Sequence, residues 1–146
     1  MARFSHILVP IDFSETSSAA LDYAVELASK LSAHLTILHV VQPTPYDPQR
    51  PNGNAFDLDT EAIISAERES SLAARRCRGP GRTVTELLRK GLPWEEIQLA
   101  AVEIDADLIV MGTHGRRGLA RIFLGSVAQN VVQTSSVPVL IVRHEG

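Results

Sequence analysis

The chain has 146 residues, 45% of them hydrophobic and 21% charged, which suits one domain with a real core and excludes disorder as its main state. Its 14 Lys plus Arg stand against 17 Asp plus Glu, a formal net charge of −3. With no basic surplus to neutralise phosphates along a strand, a dedicated nucleic-acid binder is not expected.

The first apolar run is Ile7-Leu8-Val9, closed by Pro10; three apolar residues without alternation predict a strand covered on both faces. Ser14-Glu15-Thr16 supplies capping residues and a first-turn acid. Behind it Leu21, Ala24, Ala28 and Leu31, joined by Ala20 and Leu27, form one helical stripe. Leu35 to Val41 reads as the second strand. Residues 42–56 then bring Pro43, Pro45, Pro48, Pro51 and Gly53, which predict a long flexible surface loop. Asp57, Asp59 and Thr60 open a helix expected to run to about Arg78. Its stripe is weak: Ile63 or Ile64, Ala66 or Glu67, and Leu72.

Gly79-Pro80-Gly81 ends that helix. Arg82 to Arg89 is less apolar and predicts an edge strand. Pro93 fits a first helical position, followed by Glu95 and Glu96, with Ile97, Ala100, Ala101 and Ile104 on the apolar face. Asp107 to Met111 is the fourth strand, stopped by Gly112. Ser126 begins the last helix, with Val127, Val131 and Val132, and Val137 to Val142 is the last strand. The order β-α-β-α-β-α-β-α-β predicts a single α/β domain over residues 1–146, an open doubly wound parallel sheet with helices on both faces.

In such sheets ligands sit outside the carboxyl ends of the strands, where the winding reverses. Two ends are unusual here. Pro10-Ile11-Asp12 offers an acceptor carboxylate, and Gly112-Thr113-His114-Gly115 offers bare backbone donors. Glycine at 112 and 115 lets amides approach an anion without a β-carbon in the way. Gly125-Ser126 then delivers a helix N-terminus and a hydroxyl, so phosphate fits between the two groups of donors. Any one of these glycines alone would read as an ordinary turn; the spacing Gly-x2-Gly-x9-Gly-Ser is far more restrictive.

That spacing resembles the nucleotide-binding branch of the universal stress protein family. Ile7-Leu8-Val9-Pro10-Ile11-Asp12, Leu38-His39-Val40, Ala106 to Gly112 and Val137 to Val142 agree with it as well, so the likeness spans nearly the whole chain outside the proline-rich loop. The resemblance implies a five-stranded sheet of order 3-2-1-4-5, the adenine nucleotide alpha hydrolase-like fold, and a homodimer formed through the last strand. It also implies an ATP site, with Mg or Mn accompanying the nucleotide. Asp12 and the Val40 backbone would recognise the adenine end, with Pro10 shaping the wall. Met111, Gly112 and Gly115 would line the ribose and phosphate path, and Gly125, Ser126 and Val127 would bind phosphates. Arg116 is placed either near the phosphates or in solvent. Phe13 stands where many members have glycine, although others carry Phe there, and it is expected to crowd the pocket mouth.

The remaining features carry less chemistry. Basic residues gather at Arg75, Arg76, Arg78 and Arg82 and at Arg116, Arg117 and Arg121, as expected of solvated faces or, in a second reading, of a local attraction for phosphates. His6, His34, His39, His114 and His144 lack metal-site spacing; His39, within a strand, is expected to be buried and hydrogen-bonded. There is no Walker sequence and no Gly-x-Ser-x-Gly elbow. Trp94 is expected to pack, and Cys77 to be a partly exposed, unreactive thiol. That lone cysteine cannot form an internal disulfide, and no apolar run nears the roughly 20 residues that cross a bilayer, so a cytoplasmic protein with no membrane partner is expected. Three readings follow: an ATP-binding dimeric regulator in the stress response, whose loops respond to nucleotide; a slow ATP hydrolase or phosphoryl or adenylyl transferase; and a nucleotide-free dimeric adaptor. Phosphoryl transfer needs a positioned base and usually a metal, and Asp12 is the only acid this reading brings to the crevice, which favours the first.

Overall fold

The computed structural model describes residues 4–45, 48–49, 55–113 and 124–143, the side chains of 55–58 aside. Among the described residues nine elements alternate: β1 (His6–Pro10), α1 (Glu15–Leu31), β2 (His34–Val41), α2 (Ala55–Cys77), β3 (Val84–Lys90), α3 (Pro93–Glu103), β4 (Leu108–Gly112), α4 (Ser126–Thr134) and β5 (Val139–Val142). The five strands form one sheet, all parallel, in the order β3-β2-β1-β4-β5. The expected fold class and strand order therefore hold.

Alternation along each strand divides the core in two. Ile7, Val9, Leu35, Ile37, Leu108 and Val110 pack under α1 and α2. Leu8, Leu38, Ile109 and Met111 pack under α3 and α4. The central strands are closed to water on both sides, with Ile7, Leu8 and Val9 all fully buried. That is why β1 reads as an unbroken apolar run. The edge strand β3 pairs with β2 alone and keeps a mixed sequence, as its polarity predicts.

Local signals account for most boundaries. Ser14 caps α1, its hydroxyl accepting from the Ser17 amide at 3.2 Å. Pro93 stands at the start of α3, where its missing N–H costs nothing. Trp94 packs against the α3/α4 core. β5 begins at Val139, because the Pro138 position contributes only its carbonyl, which accepts from the Ile109 amide at 3.0 Å.

Three expectations need correction. First, α2 starts at Ala55, two residues ahead of Asp57, so the segment outside helices is shorter than residues 42–56; residues 46, 47 and 50–54 lie outside the described residues. Second, its inward stripe is Asp59, Ala66, Ser70, Ala74 and Cys77, while Ile64 and Leu72 are both about half exposed. The gap between helix and sheet admits small side chains, so size, not apolarity, selects the buried face. Third, Cys77 is buried, and desolvation pushes its thiol up against the opposing pull of Arg76.

Two carboxylates fasten the frame. The Ser5 and His6 amides and the Ser5 hydroxyl donate to Asp107 at 2.8 to 3.1 Å, tying the start of β1 to the approach of β4. Desolvation raises the Asp107 carboxyl, but these donors outweigh it and hold it below the usual range. Asp59 accepts from the Thr44 amide at 2.8 Å and from the Thr44 hydroxyl, and Lys90 lies 2.9 Å from its other oxygen. His6 and His34 sit at the amino ends of their strands, bonded to Thr36, Thr83 and Thr85 at 2.6 to 2.7 Å. Burial, with His6 beside it, lowers the pKa of His34. Among the described residues no cluster of His, Cys, Asp and Glu could hold a metal ion, and no helix is long and apolar enough to cross a membrane.

Candidate nucleotide-binding cleft

The winding reverses between β1 and β4, which sit side by side with α1 on one face and α3 on the other. β1 ends at Pro10, and the chain then turns sharply through Ile11, Asp12 and Phe13 into α1. The turn is held from several sides. The Ile11 amide donates to the Leu38 carbonyl at 2.8 Å, and the Asp12 amide to the Ser17 hydroxyl at 3.3 Å. The Asp12 carboxylate accepts from the Ser14 amide at 3.0 Å and from its hydroxyl at 2.5 Å. Ser14 thereby serves two ends at once, capping α1 and aiming Asp12.

Phe13 has a φ of +65°, a left-handed conformation that costs a residue with a β-carbon roughly 1–2 kcal/mol. This explains why glycine suits the position. Phe13 does not line the cleft between β1 and β4, although it borders the adjoining depression with Asp12, Val40 and Gln42. The ring turns onto the α1/α2 side and stacks on His39, centroids 4.5 Å apart and planes 33° apart. His39 is hydrogen-bonded as expected, its Nδ1 donating to the Ile11 carbonyl at 2.7 Å, but it is only partly buried.

Across the reversal, Gly112 ends β4. A β-carbon there would lie 2.8 Å from the Thr16 carbonyl oxygen and 2.9 Å from its carbon. The close approach of β4 to the first turn of α1 is thus by itself enough to require glycine here. The Gly125 amide is also accounted for: it donates to the Thr113 carbonyl at 2.6 Å. That bond draws the start of α4 up against the end of β4. It removes Gly125 from the set of free donors.

The donors left over by the helix itself are one step further on. Helix α4 has Gly125 at its N-cap and no side-chain cap bond, and its first internal bond runs from the Gln129 amide to the Gly125 carbonyl at 2.9 Å. The amides of Ser126, Val127 and Ala128 therefore have no acceptor within the helix. Together with the helix dipole they favour an anion.

These parts meet in one cleft of about 190 Å³. Pro10, Asp12, Val40, Met111, Gly112, Gly125, Ser126 and Val127, expected from the sequence, all line it. Gly115 and Arg116, with His114, lie outside the described residues. Thr16, Ser17, Gln42, Pro93, Ile97 and Ala128 line it too and were not anticipated. Ser17 carried only the signal of a small polar residue in the first turn after the Ser14 cap. Pro93 and Ile97 carried none, because only the packing of α3 beside β4 brings them there. Asp12 is the one carboxylate among the described lining residues.

Residues 3–143 match the Universal stress protein family. The chain belongs to that family. Among solved structures of similar proteins, MJ0577 of Methanocaldococcus jannaschii is 29% identical, with a TM-score of 0.86 and 99% of each chain covered. A universal stress protein in complex with cAMP is 29% identical, with a TM-score of 0.68, 99% of this chain and 100% of that one being covered. The universal stress protein from Archaeoglobus fulgidus in complex with dAMP is 26% identical, with a TM-score of 0.67 over 97% of this chain and 98% of that one. Adenine nucleotides are thus ligands of universal stress proteins with this fold.

Proposed function

We propose that this universal stress protein binds ATP in the cleft between β1 and β4 and acts as a dimeric, nucleotide-dependent regulator in the stress response. The observation that carries the reading is the pairing of opposite chemistries across one gap: Asp12, an acceptor, at one end and the uncapped N-terminus of α4 at the other. The similar proteins solved with cAMP and dAMP support an adenine ligand. Asp12 and the Val40 backbone meet the adenine end, with Pro10 as wall. Met111 and Gly112 flank the ribose. The amides of Ser126 and Val127 and the Ser126 hydroxyl meet phosphate oxygens, Gly125 setting the helix start. Gly115 completes the phosphate path in this proposal, and Arg116 stands near it or in solvent. Mg or Mn, if it accompanies the nucleotide, draws most of its ligands from phosphate and water. The protein works in the cytoplasm, consistent with its free, buried Cys77.

Regulation is favoured over turnover because Asp12 is the only described carboxylate in the cleft and is already engaged by Ser14. Isothermal titration with ATP and magnesium is the direct test. Saturable heat at micromolar ATP supports the reading, and a folded Gly115→Val variant, with a branched side chain in the phosphate path, then loses it. No heat at high micromolar ATP favours the nucleotide-free adaptor, and consumption of ATP near the usual enzyme median of about 10 per second favours the enzyme.

A further inference from the structure

The turn that carries Asp12 includes a residue in a conformation its side chain disfavours, and one neighbouring side chain grips that turn twice. His39, on β2, donates from Nδ1 to the Ile11 carbonyl at 2.7 Å and stacks its ring on Phe13 at 4.5 Å. Between those two holds lies Asp12. Phe13 keeps its left-handed φ of +65° and its ring outside the cleft. The grip comes from a neighbouring strand: β2 pairs with β1 up to Pro10 opposite Leu38, so His39 is the first residue of β2 past the end of β1. It stands where the sheet can brace the turn and nothing in β1 can.

We infer that His39 is a positioning residue for nucleotide binding. It holds the Ile11–Phe13 backbone in the shape that presents Asp12 to the cleft and keeps Phe13 out of it. The inference rests on the reading of the cleft as the ATP site. It adds a residue outside the cleft lining, and it predicts a specific rescue. Without the imidazole, Phe13 relaxes from its left-handed conformation and takes Asp12 with it. Glycine at 13 has no such preference, so it tolerates the loss of His39.

The test is a double-mutant cycle read by titration with ATP and magnesium. His39→Ala weakens ATP binding about tenfold, the scale of the backbone preference released. His39→Asn, whose amide can still donate to the Ile11 carbonyl, keeps most of the affinity. In the Phe13→Gly background, His39→Ala costs less than about threefold. Unchanged affinity in His39→Ala, or an equal loss in both backgrounds, overturns the inference while leaving the cleft assignment intact. Should the wild-type protein bind no ATP, the cleft reading fails by itself. The grip is then judged by hydrogen exchange of the Asp12 and Phe13 amides. Faster exchange in His39→Ala than in His39→Asn upholds it as a brace of the turn, and equal exchange overturns it. That exchange measurement also serves if His39→Ala proves too unstable to titrate, because His39→Asn can be compared with the wild type directly.

Discussion

Single residues at the cleft do more than one task, and their types follow from the stricter of them. Gly112 was expected to clear the way for a phosphate, yet its nearest neighbour is the backbone of Thr16. A β-carbon cannot stand 2.8 Å from that carbonyl oxygen, so the β4 end and α1 would have to part. Gly112→Ala is therefore expected to destabilise the fold by about 1–3 kcal/mol, as overpacking in a closed interior does. Urea unfolding measures it, with the loss present in the absence of nucleotide. A stability equal to the wild type's, with only ATP binding impaired, would return Gly112 to the anion-approach role.

Elements are joined beside the edge strand by a carboxylate that the sequence marked only as a first-turn acid. Asp59 links α2 to Thr44, just after β2, and to Lys90, which ends β3. The Thr44 hydroxyl, then Lys90 and the Thr44 amide, hold its carboxyl down to about 2, against an ordinary 3.8. A carboxyl depressed in the folded state binds fewer protons there than in the unfolded chain. Its contribution is therefore complete above about pH 4 and lost as the pH falls from 3.8 towards 2. Acid unfolding followed by circular dichroism should show this: Asp59→Asn is less stable than the wild type at neutral pH, and the gap narrows through that window. A constant gap from pH 7 to pH 2 would assign the effect to packing. The exposed ion pair of Glu26 with Lys30 on α1 contributes little by comparison, since water screens both partners.

At the scale of the whole molecule, the two ends of the sheet differ. β3 is polar and mixed, whereas β5 is an apolar strand, Val139-Leu140-Ile141-Val142, paired on one side only with β4. Its four side chains are each half-buried, Leu140 and Val142 toward the α1/α2 core and Val139 and Ile141 toward the other. An apolar strand that pairs on one side only, among the described residues, is what a second copy would cover, in a closed two-fold pair. The proposed dimer predicts twice the chain mass of 15.9 kDa by light scattering at tens of micromolar. The monomer mass at that concentration would remove the edge from the proposal.

The amino-acid sequence by itself determined the alternation of strands and helices and the parallel sheet, because short unbroken apolar runs and amphipathic stretches record burial on two faces or one; the strand order came from the family resemblance. It also marked most of the cleft, since Pro10, Asp12, Gly112, Gly125 and Ser126 lie at strand ends and a helix start, where local chemistry is visible in the residue type. Only the tertiary structure decided the rest. It made Asp59 a junction, buried small residues of α2 in place of Leu72, assigned Gly112 to helix packing, and turned Phe13 onto His39. Each of these depends on how closely two distant segments approach, and a distance between segments leaves no periodicity in the chain that makes it.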